Sequence, residues 1–578
     1  MFKIAAFLKP YRKEVILGPL FKLLEAILEL LLPTVVALIV NNGIGQQDSA
    51  YVYKMGGVML LMSLLGFGSS MICQHYAARA SQGFGTSLRN KLFAHVSTLS
   101  WAELDRLGTP SLINRITSDV NQLQVAVAML IRLVVRAPFI CIGAIIMAMI
   151  LDFRLSLILL AAAPVFGIIL YFIITRSSPL YRKYQQKLDG LAQVLSENLS
   201  GVRVIRAFAK GRREKQRFDA ASDDLTATAI RVGRIAAWLS PMTTVVVNAA
   251  IIAILWAGGI RIEAGSLSQG EIIAFINYVT QILLALIVVS NLVILFTKAA
   301  SSAARVNQVL ATLPSVQDNA SPAIAAADAQ APAISFEHVS FRYHATGELA
   351  LQDVTVSIGR GQTVGIIGST GSGKSTFINL IARFYDAVEG KVKLGGRDVR
   401  EYTLERLRGR IGLVPQKALL FTGTIADNIR WGKPDATPEE LRQAAAVAQA
   451  EEFILKAPQG WETPVARGGQ NLSGGQRQRL TIARAVVGHP EILILDDSAS
   501  ALDFATDAAL RRALKEYSTE MTVLLVSQRV STVRQADRII VFEEGRIAGT
   551  GSHEELLETC AEYREICASQ LSAGEVQG

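Results

Sequence analysis

Charge and cysteine are both scarce in this chain. Only 19% of its 578 residues are Asp, Glu, Lys or Arg, below the roughly 25% of ordinary soluble domains. Hydrophobic residues reach 51% and the mean hydropathy is +0.34. That balance argues against a wholly soluble protein and for membrane spans joined to a soluble part. The four cysteines, Cys73, Cys141, Cys560 and Cys567, have neither metal-ligand nor disulfide-framework spacing, which fits a reducing cytosol and two lipid-buried thiols. A cleavable signal peptide is not evident: MFKIAAFLKPYRKEV is basic and short of apolar length, so it reads as an amphipathic lead-in. The length is too great for one hydrophobic core.

The net charge of +9 suits either a nucleic-acid partner or a membrane protein with basic cytoplasmic loops. The basic residues fall between apolar segments, which favours the second and predicts no nucleic acid. Six segments are long enough to cross a bilayer, near 16–42, 56–76, 129–150, 155–176, 239–259 and 272–298, given about 20 residues per span. The N-terminus and the connections 77–126 and 177–235 are rich in Lys and Arg, whereas 43–55, 151–154 and 260–270 are short and nearly neutral. This asymmetry predicts cytoplasmic termini.

The two long connections keep helical periodicity and read as spans continued into the cytosol. Each contains a break, Leu104–Val120 and Leu195–Lys210, that reads as a transverse helix docking on a soluble domain or as an ordinary surface turn. After residue 298 the composition changes. An Ala/Pro/Asp-rich linker is followed from Ile334 by alternating β and α patterns. The expected division is a membrane domain over 1–310, a linker over 311–333, an α/β nucleotide-binding domain over 334–570 and a tail over 571–578.

Gly368–Thr376, GSTGSGKST, follows an apolar strand and precedes a helical pattern. It fits G-x-x-x-x-G-K-[ST] in the required setting. Gly368, Ser369, Gly371, Ser372 and Gly373 form a loop whose backbone N–H groups curl around phosphate. Lys374 reaches the β/γ oxygens, Ser375 ligates Mg²⁺, and Thr376 opens the helix whose dipole favours anions. Downstream, ILILDDSASALD reads as a buried strand delivering Asp496 and Asp497 to its carboxyl edge, where open α/β sheets bind ligands. Asp496 is then the carboxylate that acts on Mg²⁺, directly or through a bound water, and Asp497 stands where water is activated. Ser473, Gly474 and Gly475 begin a second anion-binding helix that has no lysine of its own. Two phosphate-facing sites in one domain suggest that two such domains sandwich the nucleotide.

With these motifs the chain resembles the ATP-binding-cassette (ABC) family from end to end. Six spans and one cassette look like a half-transporter of the type I exporter fold: a membrane α-helical bundle fused to an α/β P-loop domain, using ATP and Mg²⁺. The resemblance implies further roles. Tyr343 stacks on adenine. Gln416 touches Mg²⁺ and senses the membrane domain. Leu472–Gln476 is the signature that meets the γ-phosphate of a partner's ATP. Ser500–Asp503 crosses between cassettes.

Two departures from that family stand at the catalytic edge. Exporters usually carry glutamate where this chain has Asp497, and histidine where it has Gln528. Arg467 also stands where the family usually has glutamate. Aspartate is shorter by about 1.5 Å, and a misplacement of ~1 Å costs on the order of 100-fold. Glutamine donates a hydrogen bond to phosphate but carries no imidazolium charge. A weak base beside an intact Ser473–Gln476 resembles the degenerate-site subunit of a bacterial heterodimeric multidrug exporter. The expectation is a different partner subunit, in a bacterial plasma membrane. Two alternatives stand beside it: a homodimeric exporter or lipid flippase, and a nucleotide-gated regulator or channel.

In the spans, Glu25 and Glu29 lie i, i+4, as do Arg132 and Arg136. Pairing or snorkelling is the commoner fate of such charges. The functional alternative is a polar cavity wall whose acidic residues attract cationic amphiphiles. Asn248, Asn277 and Gln281 are polar positions that line a cavity or join helices. The resemblance favours hydrophobic or amphipathic cargo.

Overall fold

The computed structural model describes residues 4, 6–318, 330–344, 346–498, 500–517 and 520–570. The central part of the linker and the 571–578 tail lie outside them. The chain forms two compact units, one of residues 1–97 and 110–311, the other of residues 98–109 and 312–578.

The first unit contains six helices long and apolar enough to cross a membrane: Ala6–Ile44, Ser49–Ser97, Thr109–Leu151, Phe153–Ser200, Gly211–Glu263 and Gln269–Ala311. In lipid each backbone polar group needs an internal partner, which long helices supply. Only about a fifth of each apolar window is buried within the unit, so most apolar side chains face outward. Phe153–Ser200 has 48 residues, about 70 Å of helix, well beyond the ~30 Å hydrocarbon core.

A few polar contacts fix the bundle. Asp152 caps the fourth span by accepting from Leu155 N (2.8 Å) and pairs with Arg261 at 2.6 Å. Asn41 accepts from Gly270 N (2.9 Å) and donates to Ser268 Oγ (2.7 Å), joining the first and sixth spans. Between the same spans Tyr278 donates to Leu30 O at 3.0 Å. Tyr278 and Phe275 are fully buried, so they pack the bundle and offer no stacking face to cargo. The buried Asp119 pairs with Arg305 and accepts from Ser302.

Both breaks predicted in the long connections are present. The second is the short helix Val202–Ala207, after Gly201. The first is Trp101–Leu107 followed by Thr109–Asn114, hinged at Gly108, whose φ of +74° favours glycine.

Residues 98–109 belong to the second unit, so the compact units do not follow the linear division at 310. The reason is local packing: Trp101 stacks on Phe384 at 4.9 Å between ring centres. Tyr385 donates to Asp105 at 3.2 Å, and the hydroxyl of Ser100 accepts from Val316 N at 3.0 Å.

The second unit has two principal sheets. One is antiparallel, with the order Leu351–Ile358, Ile334–Phe341, Glu389–Leu394, Arg397–Asp398. The other runs Arg546–Gly551, Arg538–Glu543, Thr363–Gly368, Thr522–Val526, Ile492–Asp496, Ile411–Val414. Its last five strands are parallel, with only the Arg546–Gly551 edge antiparallel. Continuous runs such as ILIL and TVLLV are buried along their length, as strands covered on both faces require.

Candidate functional site

Parallel strands end at one edge, and the candidate residues follow from that. The phosphate-loop (Walker) residues Gly368–Thr376 leave the end of Thr363–Gly368, Asp496 closes Ile492–Asp496 with Asp497 next after it, Gln528 follows Thr522–Val526, and Gln416 follows Ile411–Val414. Of these, Gly371, Gly373, Lys374, Ser375, Thr376, Gln416, Asp496, Asp497 and Gln528 line one open cavity of about 310 Å³ together with Tyr343.

The phosphate loop is built by local chemistry. Gly373 has a φ of +106°, and a Cβ there would lie 2.9 Å from Ala350 O, so only glycine turns the chain into the helix Lys374–Ile381. The Lys374 ammonium folds back onto the loop, donating to Gly368 O (2.8 Å), Ser369 O (2.6 Å) and Ser372 Oγ (3.3 Å). Burial pulls its pKa below the ordinary lysine value, while Asp496 and Asp497 oppose that shift. Tyr343 is 44% exposed and is held by the contact of its hydroxyl with Thr376 Oγ1 at 2.9 Å.

Asp496 is pushed up to about 6, first by burial and then by repulsion from Asp497, against the attraction of Lys374. The oxygens of Ser375, Asp496 and Gln416 form a donor set that fits a hard cation such as Mg²⁺. A carboxylate made costly by burial and a like charge is where an added cation relieves most. When bound there, Mg²⁺ would neutralise phosphate charge.

This predicts a pH signature. The folded pKa of Asp496 lies above the ordinary 3.8, so the folded state takes up its proton first. The ionised carboxylate therefore destabilises the metal-free fold above about pH 6, and the penalty fades as pH falls through 6 towards 4. Asp496→Asn is expected to raise the thermal midpoint of metal- and nucleotide-free protein at pH 8, with the gain shrinking by pH 5. An equal gain at both pH values counts against the assignment.

Asp497 has a φ of +45°, a left-handed conformation that aspartate tolerates better than most residues. Its N–H donates to Val526 O at 2.8 Å, and its carboxylate accepts from Gln416 Nε2 at 3.4 Å. Gln528 is anchored through its backbone, whose carbonyl accepts from Gln570 at 2.7 Å. The described cavity lining contains no histidine. His489 instead contacts the Tyr517 hydroxyl at 2.8 Å and His553 the Tyr563 hydroxyl at 2.7 Å.

Ser473, Gly474, Gly475 and Gln476 do not line this cavity. They open the helix Gly474–Val486 through a reciprocal cap: Gln476 N donates to Ser473 Oγ (3.2 Å) and Ser473 N to Gln476 Oε1 (2.9 Å). The unit thus holds a lysine-bearing phosphate loop and a separate helix start.

Residues 15–286 match the ABC transporter transmembrane region and residues 351–500 the ABC transporter family. The chain belongs to the ABC transporter family. An uncharacterized ABC transporter ATP-binding protein of Mycobacterium tuberculosis is 40% identical, over 99% of this chain and 98% of its own. The ATP-dependent lipid A-core flippase of Hahella chejuensis is 33% identical, over 89% of this chain and 87% of its own. Among solved structures, a bacterial Atm1-family ABC exporter with ATP bound matches at a TM-score of 0.81 and 25% identity, over 97% of this chain and 99% of that one. This ABC exporter is therefore a multi-pass membrane protein with an ATP-binding transport ATPase domain.

In the exporter's membrane unit the acidic pairs are not free. Glu25 pairs with Lys22 at 2.6 Å and Glu29 with Arg136 at 2.6 Å. Lys22 is the residue that sequence reasoning passed over, although it lies i, i+3 to Glu25 on one helix face. Asn277 bonds its own helix, donating to Ile273 O at 2.8 Å, and Asn248 is exposed. Gln281 lies 3.5 Å from Glu29 O. Trp101, Phe384 and Tyr385 were also missed as a group, because only the fold brings residues so distant in sequence together.

Proposed function

We propose that this chain is one half of a heterodimeric exporter of hydrophobic or amphipathic compounds, drugs among them. Its own Walker site holds ATP and turns it over slowly, while Ser473–Gln476 complete the partner's competent site. The observation that carries this reading is the cavity edge: Asp497 and Gln528 stand there, with no glutamate or histidine among the described lining residues.

Each residue then has a task. The Gly368–Gly373 amides and Lys374 bind phosphate. Ser375, Asp496 and Gln416 would hold Mg²⁺, and Tyr343 would pack on adenine. Asp497 orients water but reaches it poorly, and Gln528 contacts phosphate without adding charge. ATP favours the closed pair of cassettes because two surfaces share it, and that differential affinity drives the spans outward. The basic connections support both termini in the cytosol, and the bacterial sources of the relatives support a bacterial plasma membrane.

A homodimeric pump or flippase is the second reading, favoured by the resemblance to a lipid flippase along most of the chain. ATP turnover by the chain purified alone in lipid separates the two. Tight ATP binding with turnover near background supports the heterodimer. Brisk turnover that depends on Asp497 supports the homodimer.

A further inference from the structure

Of the span charges Lys22, Glu25, Glu29, Arg132 and Arg136, one has no counter-charge among the described residues. Lys22 and Glu25 neutralise each other, with Lys22 also reaching Ser70 Oγ at 3.4 Å. Glu29 and Arg136 do the same. Arg132 is left over. Among the described residues it makes no hydrogen bond or ion pair, and its Nε is buried without a partner. It sits on the π-helical turn Leu130–Val134, a local widening common at functional sites. On the sixth span, Gln281 Oε1 is also buried without a partner, and its amide lies 3.5 Å from Glu29 O on the first span.

An isolated guanidinium in a lipid-facing bundle is costly and calls for an anion. We propose that Arg132 receives the carboxylate or phosphate of an anionic amphiphile within the membrane unit. The guanidinium fork matches either group through two parallel N–H donors. The surrounding apolar spans suit the rest of such a molecule. The sign reverses the expectation of cationic cargo drawn from Glu25 and Glu29, because both of those carboxylates are occupied. The inference names a substrate class for the proposed export and rests on the membrane unit being its path.

The test is equilibrium binding to the nucleotide-free full chain in phosphatidylcholine nanodiscs. The probe is a fluorescent long-chain fatty acid, compared with the matching alcohol and amine. The acid is expected to bind at least about tenfold tighter than the alcohol, as a charge-assisted contact supplies. Arg132→Gln removes that margin and Arg132→Lys keeps part of it. Displacement of the probe by phosphatidylglycerol assigns the site to a lipid headgroup, and displacement by inorganic phosphate to a free anion; both keep the anion at Arg132. Equal binding of acid and alcohol, tighter binding of the amine, or an undiminished margin in Arg132→Gln overturns the proposal. Thermal midpoints and ATP binding of the variants exclude misfolding. Turnover is not read, so failure of the slow-site reading leaves this result standing.

Discussion

The chain carrying Asp497→Glu and Gln528→His, purified alone in lipid, is expected to hydrolyse ATP on the order of 100-fold faster than the unaltered chain. A positioned general base contributes roughly 10²–10⁴-fold, and a shortfall of ~1 Å forfeits on the order of 100-fold. Both substitutions fall at the ends of adjacent parallel strands, Ile492–Asp496 and Thr522–Val526, so they act on the same cavity. Glutamate adds reach, and histidine adds a side chain able to carry charge beside phosphate. The left-handed backbone at Asp497 favours aspartate over glutamate slightly, so Asp497→Glu alone gives less than the pair. Steady-state phosphate release by the four combinations checks this. No gain in the double variant, with ATP binding intact, would sink the slow-site reading.

Lys374→Ala carries the second large effect, a loss of roughly 100-fold or more in ATP affinity. Each charge-assisted hydrogen bond contributes about 1.5–3 kcal/mol, and Lys374 supplies the only ammonium in the described cavity lining. Its present partners are carbonyl and hydroxyl oxygens of the loop, which makes it a donor ready to turn to phosphate. Burial penalises this ammonium, so removing it is expected to cost affinity more than stability. Titration with a fluorescent ATP analogue, alongside thermal unfolding, separates the two. In a homodimer the same change abolishes turnover. In a complex with a competent partner, turnover falls less, because the partner's own lysine remains.

The spans and the phosphate loop were legible because each is written in consecutive residues. A run of about 20 apolar residues and a lysine at fixed distance from glycines state their physics locally. The carboxyl-edge placement of Asp496 was legible for the same reason, since ILIL ends in the acid. Which intramembrane charges neutralise each other was not. Glu29 finds Arg136 across 107 residues, and periodicity has no access to such a distance. Nor did composition reveal that Phe275 and Tyr278 would be fully buried, since an aromatic inside a span suits either packing or cargo. That residues 98–109 join the second compact unit was not legible, because their partners, such as Phe384 and Tyr385, become neighbours only after the cassette folds.

That last assignment has a consequence for synthesis. Ser100 meets Val316 across 216 residues, so the segment 98–109 leaves the ribosome long before the surface it completes. At about 5–20 residues per second the wait is roughly 10–40 s. Throughout it Trp101 has no aromatic partner, and the nascent membrane half carries a waiting fragment of a domain not yet made. A cassette produced separately, beginning near residue 334, meets the converse problem: Phe384 and Tyr385 then lack the helix that covers them. Such a fragment is a poor proxy for the domain in the whole exporter unless residues 98–109 are supplied alongside it.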